Sequence, residues 1–304
     1  MKGLIAAAGR ERTAARPGPG IVTAESLEAL ELLIARRVDG LLAGDYRSAF
    51  TGVGTELHQV RPYEPGDDVR RIDWNVTART GTPHVRVELA ERVLVTWLVF
   101  DASASMDFGT TERRKADVAE GVALAIGHAA TRRGNRLGLI TFGPDDQRWR
   151  RPRQGRRGLL LTLSALRQEP AGNGSLGDAL ALLDGLAVQR SLVVIVSDFR
   201  GKRDWRGPLL RVAGRHPTVA IEIRDPREQE LADVGELRLV DPETGRHLRV
   251  DTGDANLRSR FATAARQERE GLVKLLASAG VRHTHLSTEG DWLRPLAMFL
   301  KRAD

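Results

Sequence analysis

Asp101-Ala102-Ser103-Ala104-Ser105 sets one carboxylate and two hydroxyls at alternate positions of a short segment, with Met106 and Asp107 directly after. A second carboxylate, Asp198, follows the apolar run Leu192–Ser197. Carboxylate and hydroxyl oxygens are hard ligands. They suit Mg²⁺ or Mn²⁺, which bind through few carboxylates and keep open or water-filled positions. The alternate spacing is expected to turn both hydroxyls inward beside Asp101. Between the two carboxylates, Gly172-Asn173-Gly174-Ser175-Leu176-Gly177-Asp178 precedes a helical pattern and could bring a third hydroxyl or carboxylate. Taken alone, Asp-x-Ser-x-Ser is equally a helix cap and turn, because Ser and Asp favour both. Asp198, expected at the same sheet edge, tips the balance toward a metal site.

Other chemistries fare less well. The chain has no cysteine, which removes disulfides and thiolate metal sites. A phosphate loop needs Lys followed by Ser or Thr, and none of Lys2, Lys115, Lys202, Lys274 or Lys301 is so followed. A hydrolase nucleophile elbow needs Gly two residues either side of Ser; Ser175 has Gly177 after it but Asn173 before it. His283-x-His285 would share one strand face, but no third ligand is evident, so it reads as structural. Metal-dependent phosphoryl hydrolysis is the surviving catalytic alternative, because Asp101 stands where phosphatases with similar sheets place a nucleophile. Such sites also need a Lys or a second acid at the cation, and none is expected there. The balance is against an enzyme.

The elements that must position these residues follow from periodicity. Val93–Phe100 is almost wholly apolar, as a strand covered on both faces should be. A helix is expected over Thr111–Thr131, then a strand at Leu137–Phe142, and helices at Gly158–Arg167 and Leu176–Ala187. A strand at Leu192–Ser197, a helix at Pro208–Gly214 and a strand at Thr218–Ile223 continue the alternation. Glu236–Asp251 reads as an inserted hairpin around Asp241-Pro242-Glu243-Thr244-Gly245. A helix (Ala255–Ser278), a strand (Val281–Leu286) and a last helix (Trp292–Lys301) complete the pattern. Strands alternating with helices predict an α/β fold, a doubly wound and mostly parallel sheet. In such a sheet, ligands bind beyond the carboxyl ends of strands where strand order reverses, and both Asp101 and Asp198 follow strands.

Ahead of this domain (93–304), residues 1–23 read as a flexible lead and 24–44 as a helix. Residues 45–92 read as a β-rich accessory segment, in which Val85, Val87 and Leu89 alternate with polar neighbours. The first residues lack the h-region of a secretory signal, and no run approaches the ~20 apolar residues that cross a bilayer. The expected location is cytoplasmic.

The Asp101-x-Ser103-x-Ser105 segment resembles the metal-ion-dependent adhesion site of von Willebrand factor type A domains. The resemblance implies one divalent cation, Mg²⁺ (or Mn²⁺ or Ca²⁺), with Asp198 as the later-strand Asp and Ser175 in place of the loop Thr. It also implies that an acidic residue of a partner protein completes the cation. A second resemblance is carried by Tyr63-x-Pro65-Gly66-Asp67-Asp68-x-Arg70-x-Ile72-Asp73-Trp74 with Ala78-Arg79. Ser197-Asp198-Phe199, His216 and Asp225-Pro226-x-Glu228 add to it. These resemble the bacterial family called domain of unknown function fifty-eight, from about residue 45 to the C-terminus. That family implies a partner or adaptor role beside a MoxR-type AAA+ ATPase. Asp67, Asp68, Arg70, Asp73 and Arg79 read best as a structural turn and ion-pair network, and Trp74 as a core anchor.

Net charge is +7, and nine Arg fall between Arg132 and Arg157. This segment is either an anionic-partner or nucleic-acid surface, or solvated loop. Among the clustered arginines from Arg148 to Arg157, Trp149 is the only aromatic residue interleaved for stacking, which favours the solvated loop.

Overall fold

The computed structural model describes residues 56–89, 94–131, 135–143, 148–155, 174–201, 203–240 and 247–301. The lead, the helix expected over 24–44, the helix expected over 158–167 and the hairpin turn at 241–245 lie outside the described residues. The chain divides into a small compact unit, Asp39–Val93, and a larger one that contains Leu94–Asp304.

In the small unit, β1 (Glu56–Pro62) pairs antiparallel with β2 (His84–Leu89). Between them lie a 3-10 turn, Val69–Arg71, and helix α1, Trp74–Thr80, where only short β pieces were expected. The helix starts because Asp73 accepts hydrogen bonds from the Asn75 and Val76 amides, and it stops at Gly81, which has φ 75°. Asp67 receives both Arg61 terminal nitrogens at 2.8 and 2.7 Å, and Asp73 receives Arg86 Nε at 2.8 Å. Asp68 caps the 3-10 turn through the Arg70 amide. The carboxylates of the Tyr63–Arg79 motif therefore brace turns. Trp74 is not the core anchor expected of it: it is 71% exposed. Among the described residues of this unit, two strands and one short helix offer too little apolar surface to enclose an indole.

In the larger unit, six strands form one sheet in the order β10-β7-β6-β3-β4-β5. They are β3 (Val95–Asp101), β4 (Arg136–Phe142), β5 (Arg148–Gln154), β6 (Leu192–Ser197), β7 (Thr218–Arg224) and β10 (Arg282–Ser287). All neighbours are parallel except β5, which runs antiparallel to β4. The sheet is thus mixed α/β and mostly parallel, as the alternation predicted. β3, β6 and β7 are buried along their whole length.

Helix α2 (Lys115–Ala130) packs across β3, β4, β6, β7 and β10. Leu180 and Leu183 of α3 (Leu176–Leu186), Leu209 of α4 (Arg206–Arg215) and Leu272 and Leu276 of α5 (Ala255–Ser278) share one core with Trp97, Val99, Ile140, Val193 and Ile195. β8 (Glu236–Val240) and β9 (His247–Asp251) form the separate antiparallel pair expected of the insertion, and α6 (Leu293–Lys301) ends the order.

β5 is the strand that the sequence hid. Its Arg148, Arg150, Arg151 and Arg153 are exposed, and only Trp149 and Pro152 are half-buried. Charged residues and proline are how an edge strand avoids pairing with other chains, and they erase the apolar alternation that reveals a strand.

Candidate metal centre

Counted along the chain, the sheet strands lie in the order 3-2-1-4-5-6, so the order of strand addition reverses between the parallel strands β3 and β6. Asp101 closes β3 and Asp198 directly follows β6, which puts both carboxylates at the carboxyl edge of that reversal.

Asp101 is 4% exposed. Its Oδ1 accepts from the Ser103 amide at 3.0 Å and from Ser103 Oγ at 2.6 Å. Its Oδ2 accepts from Ser197 Oγ at 2.5 Å. Ser103 Oγ also lies 3.1 Å from Ser105 Oγ. The two hydroxyls converge as expected, but by another route. Ala104–Asp107 is a 3-10 turn, not an alternating extended loop, and its tight winding brings position i+2 back toward i. Gly143, at the end of β4 with φ 101°, makes room for this loop: a Cβ there would lie 2.4 Å from the Ser103 amide nitrogen. Gly143 N donates in turn to Gly174 O, which brings the Ser175 loop alongside. Ser175 itself caps α3, accepting from the Asp178 amide and donating to the Asp178 carboxylate at 2.8 Å. Gly172 and Asn173 of that loop are outside the described residues.

Asp198 is held by a residue that the sequence reading passed over. Lys115 Nζ donates to Asp198 Oδ2 at 2.5 Å and to Glu228 Oε1 at 2.7 Å, with its side chain wholly buried. The expectation that no Lys stands near the carboxylates is therefore wrong. The missed signal was Lys115's place three and seven residues before Val118 and Val122, on the buried stripe of α2. A charged residue on such a stripe must find a counter-charge inside. Glu228 closes a 3-10 turn, Pro226–Glu228, and its Oε2 accepts from the Asp225 amide. Asp225 is fully buried and binds Thr110 and Thr288, tying the loop before α2 to the end of β10. Arg200 Nε lies 3.4 Å from Glu228 Oε1.

The electrostatics separate the two carboxylates. Burial and the neighbouring Asp198 charge push Asp101 up to about 7, against the pull of its Ser103 and Ser197 hydrogen bonds. Burial disfavours the charge on Asp198 too, but the Lys115 ammonium, with Arg200, holds that carboxyl below its ordinary value. Lys115 is likewise disfavoured by burial, and the Asp198 and Glu228 charges keep it above its ordinary value. Phe199, after Asp198, has φ 53°, a left-handed backbone that is strained for an aromatic residue. It is held there by its amide's bond to Ser197 Oγ at 2.9 Å and by edge-on packing against Trp205.

The donor set fits a small hard cation. Ser103 Oγ lies 2.6 Å from Asp101 Oδ1 and 3.1 Å from Ser105 Oγ, so three oxygens follow one another in contact, as ligands of one small cation would. Among the described residues, no group of three or more His, Cys, Asp or Glu side chains is arranged for a metal, so a cation here would lean on hydroxyls. His283 Nε2 contacts Glu222 Oε2 at 2.8 Å, where Arg224 also bonds, consistent with a structural role for the His pair.

Residues 59–271 match the family model described as "Protein of unknown function DUF58". Uncharacterized proteins of Mycobacterium tuberculosis (Rv1480) and Mycobacterium bovis (Mb1516) are each 43% identical over 281 residues, covering 91% of this chain and 88% of theirs. Among solved structures, BatB of Bacteroides thetaiotaomicron is 10% identical, with TM-score 0.44 over 68% of this chain and 97% of its own. The SpRpn10 VWA domain is 15% identical, with TM-score 0.40 over 67% and 94%. A von Willebrand factor type A protein of Catenulispora acidiphila is 14% identical, with TM-score 0.38 over 70% and 42%. At these scores the likeness carries no functional inference.

Proposed function

The chain belongs to the DUF58 family, and on that premise we propose that it is a metal-dependent protein-binding module. Asp101, Ser103 and Ser105 hold one divalent cation, Mg²⁺ by preference, with Asp198 behind them. A partner's acidic side chain completes the ion. The observation that carries this reading is the run of contacts from the Ser105 hydroxyl through the Ser103 hydroxyl to buried Asp101 at the sheet's reversal point. A cation bound there offers its open side to an external oxygen ligand.

Binding is preferred to hydrolysis on the position of Lys115. A phosphoryl-transfer site needs a cation that reaches substrate, whereas Lys115 is enclosed and engaged with Asp198 and Glu228. The proposed partner is a MoxR-type AAA+ ATPase or its client, and the proposed location is cytoplasmic. Among the described residues, no helix is long and apolar enough to cross a membrane.

Capture from source-cell lysate tests this, using wild type and Asp101→Ala, each in Mg²⁺ and in chelator. Retention of a AAA+ ATPase by wild type in Mg²⁺ alone supports the proposal. Retention indifferent to both metal and Asp101 rejects it. A second reading, an anionic partner on β5, draws on exposed Arg148, Arg150, Arg151 and Arg153 and on Arg151 lying 5.8 Å over the Trp149 ring. It predicts binding that needs no Mg²⁺ and weakens steeply with salt.

A further inference from the structure

We propose that the Lys115 ammonium is a built-in counter-cation: it keeps Asp198 out of the cation's inner coordination sphere and holds the site's divalent-cation affinity down. This rests on the metal-site reading above, and it assigns a role to a residue that supplies no ligand.

Both Asp198 oxygens are engaged without a metal. Oδ2 takes Lys115 Nζ at 2.5 Å and Oδ1 takes the Arg200 amide at 3.0 Å. Asp198 cannot swing toward Asp101 without leaving a buried ammonium to Glu228 alone, and a buried charge stripped of a partner is strongly disfavoured. Lys115 is also anchored at the first position of α2, with the Phe108 ring 5.8 Å from Nζ, so it has no alternative solvated position. The consequence for the ion is that Asp101 is, among the described residues, its one charged inner ligand. A divalent cation so held keeps about one positive charge uncompensated, which selects an anionic group for the open side. The same ammonium lets the loop end of β6 fold before any metal arrives, since it already neutralises Asp198.

The test is Mn²⁺ binding to the full-length protein, followed by the electron paramagnetic resonance signal of free Mn²⁺, with melting in chelator as the folding readout. The variants are Lys115→Met and the pair Lys115→Met with Glu228→Gln. The pair removes one charge of each sign and leaves the site's total unchanged. Each is expected to bind Mn²⁺ about tenfold or more tightly than wild type, to melt lower in chelator, and to recover on adding Mn²⁺. Should Lys115→Met fail to fold, the charge-balanced pair decides. Folded variants with unchanged or weaker affinity overturn the role of Lys115 while leaving the metal site standing. If wild type binds no Mn²⁺ but the pair does, Lys115 is confirmed as the restraint, and metal-dependent partner binding falls. If neither wild type nor variants bind, both fail.

Discussion

Ser197 Oγ donates a 2.5 Å hydrogen bond to Asp101 Oδ2, joining the carboxyl ends of neighbouring strands β3 and β6 through one hydroxyl. The same oxygen accepts from the Phe199 amide at 2.9 Å, which holds the left-handed turn that follows Asp198. Ser197 thus stabilises the charged form of Asp101 and shapes the loop beside it.

Asp101→Asn is expected to raise the melting temperature in chelator at pH 8. It keeps the Oδ1 acceptor for Ser103, turns its NH2 toward Ser197 Oγ in place of Oδ2, and removes a charge that burial and Asp198 both oppose. A gain on the order of 1 kcal/mol corresponds to roughly 2–4 °C for a domain of this size. The variant should gain nothing from added Mg²⁺, where wild type should. Differential scanning fluorimetry with and without Mg²⁺ reads both, and a lower melting point in chelator would show that the charge is needed for folding.

The pH dependence has a definite sign. Asp101 binds its proton more tightly folded than unfolded, because its folded pKa is raised to about 7. Its contribution to metal-free stability is therefore present below the ordinary carboxylate range and is lost as pH climbs toward 7. Mg²⁺ competes with that same proton. Its affinity should be level above about pH 7 and fall by up to about tenfold per unit below it. Titration calorimetry at pH 5.5, 6.5 and 8 checks this, and an affinity independent of pH would remove Asp101 from the ligands.

Gly143→Ala should abolish cation binding without changing the side chain of any proposed ligand. Its φ of 101° suits glycine, and the added Cβ would meet backbone of Ser103 at 2.4 Å, which cannot be relieved by a side-chain rotation. Destabilisation on the order of 2 kcal/mol or more is expected from strain and displacement together. Gly155→Ala is the control: φ is 67° but nothing lies within 4 Å, so strain alone should lower stability while Mg²⁺ affinity stays level.

Asp73→Ala should destabilise the small unit by about 1–2 kcal/mol through loss of the α1 cap. Arg86 loses its partner at the same time. Hydrogen exchange should show opening confined to Trp74–Thr80 and its flanks, with protection of β3 and β6 unchanged. Faster exchange across the larger sheet would contradict a local bracing role.

How much was legible in the chain varies with how each signal is encoded. Uninterrupted apolar runs betrayed β6 to the residue and β3 to within two at its start, because a doubly covered strand needs apolar side chains on both faces. α5 was readable at both ends from its periodicity, and in the fold Asp254 caps its start through the Asn256 amide. The Asp101, Ser103 and Ser105 trio was visible because its members are adjacent along the chain. β5 and α1 were not legible: one carries edge-strand arginines in place of alternation, and the other is seven residues set by a single capping carboxylate.

What only the tertiary structure decided is who neutralises whom. Lys115 lies 83 residues from Asp198 and 113 from Glu228, and their ion pairs exist because α2 crosses the sheet beside the ends of β6 and β7. The 96-residue separation of Ser197 from Asp101 closes in the same way, through strand pairing. Local chemistry is written in neighbouring residues and can be read there. Charge compensation in a buried site depends on distances across the fold, which no spacing along the chain encodes.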